Sequence, residues 1–421
     1  MECREKLNYY DYTTRLSNRR YFLRFFESKI DEFVIVLLDI DDFQYMNNIY
    51  GYKYSDRFLR EFSNRLNNLV GENRNVFICD SNQFLIAMPK INLKIINNKI
   101  KLLQKKLKEI LIIDDKEIVC SVSMGIYVTE EGDSIVDALR KAEVALHEAK
   151  LKGKGQYKYF NKKIEEKVLR KAAIINEIKK SVVRDELYLL YQPILDLKEK
   201  RITEVEALIR WQSKELKGVS PSEFIPIAEE IGFIREIGYW VINKVCEQIR
   251  EWNKQNIQIK VAINVSPNQF EDKKLLRNIK RIFKNKGIEF NQVKFEITET
   301  QMLESKKENI KDLQELVELG AIISLDDFGT GYSSNKNMAV FPISEIKIDK
   351  CFIDNLKDDK KEQVLVKSAI ATAHELGYTV VAEGVEKEEQ FDKLIELGCD
   401  KIQGFYIGKP MNGKEIIDFL D

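Results

Sequence analysis

Histidine is nearly absent from this chain: His147 and His374 are the only two in 421 residues. The six cysteines, Cys3, Cys79, Cys120, Cys246, Cys351 and Cys399, are scattered without CxxC spacing. A zinc site built on imidazole and thiolate is therefore disfavoured, and a resident cation would be held by oxygen, which suits Mg²⁺ or Mn²⁺. Several cysteines sit in apolar runs, as buried free thiols do, which fits a reducing cytoplasm. Net charge is missing too. Lys plus Arg and Asp plus Glu each number 68, so no global field draws the chain to a nucleic-acid polymer or an acidic membrane. No apolar run approaches a membrane span, and the opening MECREKLNYY lacks the apolar core of a signal peptide. A cytoplasmic protein with no membrane segment is expected. Gly/Ser-rich and Pro-rich linkers are absent as well.

What is present is enough apolar content, 44% of 421 residues, to bury two cores. In the second half, four apolar runs meet carboxylates: Glu206 in ITEVEALIRW, Glu296 in VKFEITET, Asp326 and Asp327 in IISLDDFGTG, and Glu383 in TVVAEGVE. Two more runs stop at Asn264 and Lys347. Buried strands exclude ionised acids unless something cationic compensates them. Acids recurring where strands end point to a shared cation at the carboxyl mouth of a parallel barrel.

Eight strand candidates support that barrel: YLLYQPILDL, ITEVEALIRW, KVAINVS, VKFEITE, IISLDDF, EIKID, TVVAEGV and KIQGFYIG. Helix-length amphipathic segments separate most of them. Only a few residues, Glu199 to Arg201 among them, separate the first two, which is hairpin length and forces an antiparallel pair. The fold class is thus α/β, a TIM-type (β/α)8 barrel with one antiparallel strand.

The first 160 residues read as strand 33–40, helix 55–69, strands NVFIC and FLIAM, helix 93–112 and strand IVCSVSMGIYV. That order is βαββαβ, a ferredoxin-like α/β domain. Ile164, Val168, Ala172, Ile175, Ile178 and Val182 then recur at helical spacing. The expected division is a domain over 1–160, a connecting helix over 161–183 and a barrel domain over 184–421.

Charge repulsion among Glu206, Glu296, Asp326, Asp327 and Glu383 calls for cations, and five acids suit two divalent ions clamping a phosphoryl group. Asn264 adds a neutral oxygen, and Lys347 at the rim would act on water or on a leaving oxygen. The glycine-rich DFGTGYSS at 327–334 reads as a lid or switch.

At these residues the chain resembles the EAL family of cyclic di-GMP phosphodiesterases, over about residues 165–421. The motifs are YQPI with Gln192, EALIRW at 206–211, INVSPNQF with Asn264, EITET with Glu296 and Glu299, and DDFGTGYSS. IKID with Lys347, VVAEGVE with Glu383 and IQGFYIGKP with Gln403 complete them. The resemblance implies that Glu206, Asn264, Glu296 and Asp326 bind one divalent cation and that Asp327 contributes to a second. It implies that Lys347 and Glu383 assist the attacking water, that Glu299 braces the loop after Asp326, and that Gln192, Leu208, Arg210 and Gln403 border the dinucleotide. The reaction implied is opening of cyclic di-GMP to linear pGpG by metal-activated water, in a homodimer. One stretch, Asn335, Lys336 and Asn337, is polar where the family is apolar, which puts the dimer contact in question. A different class of function, a receptor that binds cyclic di-GMP without hydrolysing it, usually lacks a metal ligand; this chain lacks none.

The first half looks like a GGDEF diguanylate cyclase domain through DYTTRLSNRRYF, LLDIDDFQYMNNIYGY and ALRKAEVALHEAKLKGKG. Its signature turn departs from the family: Asp80, Ser81, Asn82, Gln83 and Phe84 stand where two glycines, an acid, Glu and Phe are usual. Asp39 and Asp41 remain, but Gln44 and Asn48 replace a lysine and an acid, and no RxxD precedes the turn, with Gly71 and Arg74 at its ends. The resemblance with these losses implies no cyclase activity and a regulatory or dimerising role. Residual GTP binding without turnover stays open.

Overall fold

The computed structural model describes residues 9–26, 33–71, 75–299, 307–329, 341–357 and 359–420. Residues 330–337, which include most of the expected lid and the polar stretch after Ser334, lie outside the described residues, as does Arg74. The chain divides into two compact units, Met1–Lys171 and Ala172–Asp421.

The strands of the first unit are β1 (Ser17–Asn18), β2 (Phe33–Ile40), β3 (Val76–Asp80), β4 (Gln83–Pro89), β5 (Leu111–Ile113), β6 (Lys116–Ile118), β7 (Val122–Val128) and β8 (Tyr157–Tyr159). Six of them form a sheet in the order β1-β3-β4-β2-β7-β8. Its centre, β3-β4-β2-β7, is antiparallel throughout, the ferredoxin-like arrangement. The run FVIVLLDI is apolar at nearly every position because both faces of β2 are covered. Val34, Val36 and Leu38 face one core with the helices Tyr52–Val70 and Leu93–Leu107, while Ile35 and Leu37 face another with Arg19–Phe26 and Ile135–Leu151. A Cβ on Gly125 would come within 2.1 Å of the Ala142 carbonyl, so glycine lets Ile135–Leu151 press onto β7.

Three expectations for this unit are corrected. The helix expected over 93–112 ends at Leu107, because Asp114 and Asp115 adopt positive φ and turn β5 back onto β6 as a hairpin. The strand expected from Ile118 therefore starts at Val122. A helix at Phe43–Tyr50 was not anticipated.

The second unit is a closed barrel of β9 (Leu187–Asp196), β10 (Arg201–Trp211), β11 (Lys260–Asn264), β12 (Val293–Thr298), β13 (Ile322–Phe328), β14 (Glu345–Ile348), β15 (Thr379–Ala382) and β16 (Lys401–Gln403). All eight expected strands are present. β9 runs antiparallel to both neighbours, β10 and β16, and the other contacts are parallel. The helix Lys162–Ser181 buries Ile174 and Ile178 in the core of this unit. The outward residues of the strands, such as Val205, Phe295, Leu325 and Ile346, share that core with the surrounding helices.

The inward residues are mostly polar and fall into two storeys. Glu204, Lys294, Ser324, Glu345 and Lys401 form the lower one, all buried. Lys294 is ion-paired with both Glu204 and Glu345. Lys401 reaches the same two acids at 2.7 and 2.8 Å, and Ser324 donates to Glu345 at 3.0 Å. Burial opposes ionisation of Glu345, but Lys294 and Lys401 overcome it and hold the carboxyl down at about 2. Removing one partner of such a set leaves a buried charge unmatched. Lys294→Met is expected to cost about 3–5 kcal/mol in urea unfolding, whereas replacing all four ions by apolar residues restores most of that loss. Because the native pKa of Glu345 is depressed, its contribution is complete above the ordinary glutamate range and is lost as pH falls from there toward about 2. A Lys294→Met variant as stable as wild type at pH 7 would contradict this account.

Candidate active site

The upper storey stands two residues further along the same strands. Glu206 follows Glu204 on β10, Asn264 ends β11, Glu296 follows Lys294 on β12, Lys347 follows Glu345 on β14, and Gln403 follows Lys401 on β16. Glu206 lies in the middle of an eleven-residue strand, where the sequence reading put it at a strand end. It is opposite Gln192 of β9 and Ala262 of β11, so register, not a loop, aims it into the barrel.

Lys347, 1% exposed, is the centre of the site. Its Nζ lies 2.6 Å from Glu383, 3.0 Å from Glu296, 3.4 Å from Glu206 and 3.5 Å from Asp326. Asn264 Nδ2 donates to Glu206 Oε1 at 2.6 Å, and Gln403 Nε2 donates to Glu206 Oε2 at 2.6 Å. Gln403 also reaches Gln192 Oε1 at 3.3 Å, and Gln192 donates to the Gly408 carbonyl at 3.2 Å.

Two adjacent strand residues normally face opposite sides. Here β13 loses register between Leu325 and Phe328, and Asp327 takes a left-handed φ of 56°. That irregularity brings Asp326 and Asp327 to one place, a use to which strand bulges are put. One oxygen each of Asp326, Asp327 and Glu383 lie within 4.8 Å of one another. Glu299, buried after β12, accepts from the Gly329 N–H at 3.0 Å, just past this irregular end.

The charges are unevenly matched. Burial would lower Lys347, but Asp326, Glu206, Glu296 and Glu383 hold its ammonium well above the usual range. At Glu206 burial is outweighed by Lys347 and by the bonds from Gln403 and Asn264, so its carboxyl is held low. Glu296 is pushed well up by burial, with Lys347 opposing and Glu206 and Asp326 adding to the rise. Burial lifts Glu383 to about 8 despite Lys347, and it raises Asp327, next to Asp326. One lysine does not balance these acids. Glu296 Oε1 is also buried without a hydrogen-bond partner among the described residues. An all-oxygen donor set with surplus negative charge and an unengaged carboxylate oxygen fits hard divalent cations such as Mg²⁺ or Mn²⁺.

Leu208 and Arg210 stand beside this cluster. Both line an apolar cavity of about 270 Å³ that also touches Ile225, Ile237, Asn264 and Glu296. The Arg210 guanidinium donates to the Ile209 carbonyl at 2.9 Å. Every barrel residue given a metal, catalytic or substrate role in the sequence thus lies in or beside one cluster at the carboxyl mouth. The lower storey beneath it was missed, although Glu204, Lys294 and Glu345 lie two positions before residues that were singled out.

In the first unit the signature turn closes on Asp39. Asn82 Nδ2 donates to its Oδ1 at 3.1 Å, Gln83 Nε2 to its Oδ2 at 3.0 Å, and Lys150 Nζ lies 2.7 Å from Oδ2. Asp41 is held by the Ser121 and Ser123 hydroxyls, both at 2.7 Å, and by the Gly155 N–H at 2.9 Å.

A barrel with one reversed strand and an acidic carboxyl mouth, preceded by a ferredoxin-like domain, defines a class found in cyclic-dinucleotide signalling. The family model described as the EAL domain matches residues 175–410, and that of the diguanylate cyclase GGDEF domain matches residues 8–156. The chain belongs to the EAL family, with a GGDEF domain before the barrel. Signaling protein YkoW of Bacillus subtilis is 32% identical over 99% of this chain and 53% of its own length. Cyclic di-GMP phosphodiesterase PdeR of Escherichia coli is 31% identical over 90% of this chain and 57% of its own. The chain spans about half the length of the curated relatives it matches. Among solved structures, the PaMucR phosphodiesterase in complex with c-di-GMP is 33% identical, with a TM-score of 0.56 over 58% of this chain and 99% of that one.

If the surplus charge is what a cation answers, Mg²⁺ or Mn²⁺ should stabilise the fold. At about 100 times its Kd a cation is expected to add about 2.7 kcal/mol, read as a rise in Tm. The Asp326→Asn, Asp327→Asn double variant should lose most of that rise. An equal rise in the variant would move the cation elsewhere.

Proposed function

We propose that the barrel hydrolyses one phosphodiester of cyclic di-GMP to linear pGpG, with two divalent cations, Mg²⁺ or Mn²⁺, held by oxygen. The observation that carries this reading is the convergence of Glu206, Glu296, Asp326 and Glu383 on Lys347, with Asp327 brought alongside by the break in β13. The reading is supported by the family to which the chain belongs, whose relatives include a protein named as a cyclic di-GMP phosphodiesterase and a solved phosphodiesterase complexed with c-di-GMP.

Glu206, Asn264, Glu296 and Asp326 would hold one cation, and Asp327 would contribute to the second. The chemistry that divalent ions supply when bound is activation of water and offset of phosphoryl charge. Around it, Lys347 keeps its proton and supplies fixed positive charge from a buried position. Glu383, 2.6 Å from Lys347, would in its ionised form accept a proton from the attacking water. Glu299 holds the Gly329 end of β13. Gln192, Leu208, Arg210 and Gln403 would border the dinucleotide.

The GGDEF unit is proposed to be inert as a cyclase and to serve a regulatory role. Amides replace acids at Asn82 and Gln83, and with Lys150 they engage both oxygens of Asp39. An aspartate already neutralised from within has little left to offer a cation.

Incubation with cyclic di-GMP and Mg²⁺ or Mn²⁺, followed by chromatography, should yield pGpG. Glu206→Ala and Lys347→Ala should each lower turnover by on the order of 10³-fold or more, with circular dichroism confirming the fold. Full activity in either variant would refute the assigned site, and tight binding without pGpG in wild type would favour the receptor reading. With GTP and Mg²⁺ no cyclic di-GMP is expected; formation that Asp39→Ala abolishes would overturn the inert assignment.

A further inference from the structure

Gln390, 4% exposed, lies in the first turn of the helix Glu388–Glu396 and touches none of the acids above. Its Oε1 accepts from the backbone N–H groups of Glu386 at 2.9 Å and Lys387 at 3.0 Å. Its Nε2 donates to the carbonyls of Ile353 at 3.0 Å and Asp354 at 3.4 Å. One primary amide thus uses both acceptor lone pairs and both N–H groups. A capping role accounts only for half of this: a residue at the third helical position reaches back to the N–H groups before the helix. Donation to Ile353 and Asp354 is outside any capping pattern.

The two pairs of partners belong to different loops. Ile353 and Asp354 follow β14, which carries Lys347; Glu386 and Lys387 follow Glu383 after β15. Between these loops Lys350 also pairs with Glu386 at 2.5 Å, but both side chains are over 40% exposed, and such pairs contribute little. The buried amide is the stronger of these two side-chain ties, and it lies beyond the last bond of the β14–β15 ladder, which runs from the Glu383 N–H to the Ile348 carbonyl at 3.1 Å. Lys347 and Glu383 lie 2.6 Å apart, and Glu383 sits outside a strand, directly before Gly384 at φ +66°. We infer that Gln390 is a positioning residue that clips these two loops together and thereby fixes Glu383 against Lys347. The inference rests on the phosphodiesterase reading. A displacement of about 1 Å at a reacting group can cost on the order of 100-fold in rate.

Gln363 provides the control. Its Nε2 donates to Leu356 and Lys357 carbonyls, so it ties the first loop to the helix Lys360–Glu375 without touching the second. With the full chain, cyclic di-GMP and Mn²⁺, Gln390→Ala should lower kcat by roughly 10- to 100-fold with KM changed less than about threefold. Gln363→Ala should keep kcat within about twofold. Gln390→Glu, which retains the acceptor and loses the donors, should fall between wild type and Gln390→Ala, and it carries the test if the alanine variant does not fold. Amide hydrogen exchange at Glu386 and Lys387 should accelerate by about tenfold or more in Gln390→Ala. In active protein, an unchanged kcat overturns the inference even where exchange rises. If wild type forms no pGpG, the phosphodiesterase reading fails separately, and unchanged exchange in Gln390→Ala then overturns the clip itself.

Discussion

The constraint on which the barrel depends is electroneutrality inside a buried lumen. In most barrels of this kind apolar side chains fill the interior; here the inward positions of five strands carry ionisable groups. Such groups are tolerated only when matched. The lower storey achieves this internally, two lysines against two glutamates. The upper storey does not, since among the described residues Lys347 alone is ion-paired with Glu206, Glu296, Asp326 and Glu383. A neutral floor beneath an acidic mouth localises the deficit of positive charge to the end of the barrel where ligands enter. The surplus of negative charge at the mouth is a property of that imbalance and not of any single acid.

The GGDEF unit faces the same problem on a smaller scale and solves it differently. Asp39 is buried at the end of β2, and its oxygens are satisfied by Asn82, Gln83 and the Lys150 ammonium. Where the barrel leaves carboxylates for something external to neutralise, this unit neutralises its own. The two units therefore differ in how their acids are matched: Asp39 has the Lys150 ammonium and two amide donors in the signature turn.

Much of this was legible in the sequence. Eight apolar runs gave the strands, and the short connection between the first two, which the structure runs from Leu197 to Lys200, fixed the reversed one, because no parallel crossover fits that length. The acids were visible as exceptions in apolar runs. What was not legible has identifiable causes. A lysine such as Lys294 inside VKFEITE looks like an outward residue until its partners, Glu204 and Glu345, are known to come from other strands. Asp327 would face away from Asp326 in a regular strand, and only the register break shows otherwise. The β5–β6 hairpin hid at the end of an apolar helical pattern, since its turn is made by two aspartates rather than glycine. Gln390 has no signal of its own, because its four partners are backbone groups from two loops.

These causes also separate the site's residues by how they are held. Glu206 and Glu296 stand in strand interiors, where ladder hydrogen bonds and the lower storey fix them. Asp326, Asp327 and Glu383 stand where the ladder breaks or ends, the Glu383 N–H making its last bond to the Ile348 carbonyl at 3.1 Å, and backbone beyond such points is free to move unless something restrains it. Each of those places has a buried polar side chain nearby that bonds backbone: Glu299 to Gly329 beyond β13, and Gln390 to Glu386 beyond β15. A carboxylate on a loop must be held to a few tenths of an ångström to share a ligand with one on a strand. The side chains that decide the geometry of the mouth are therefore not only those that point into it, and braces such as Glu299 and Gln390 do for the loops what pairing does for the strands.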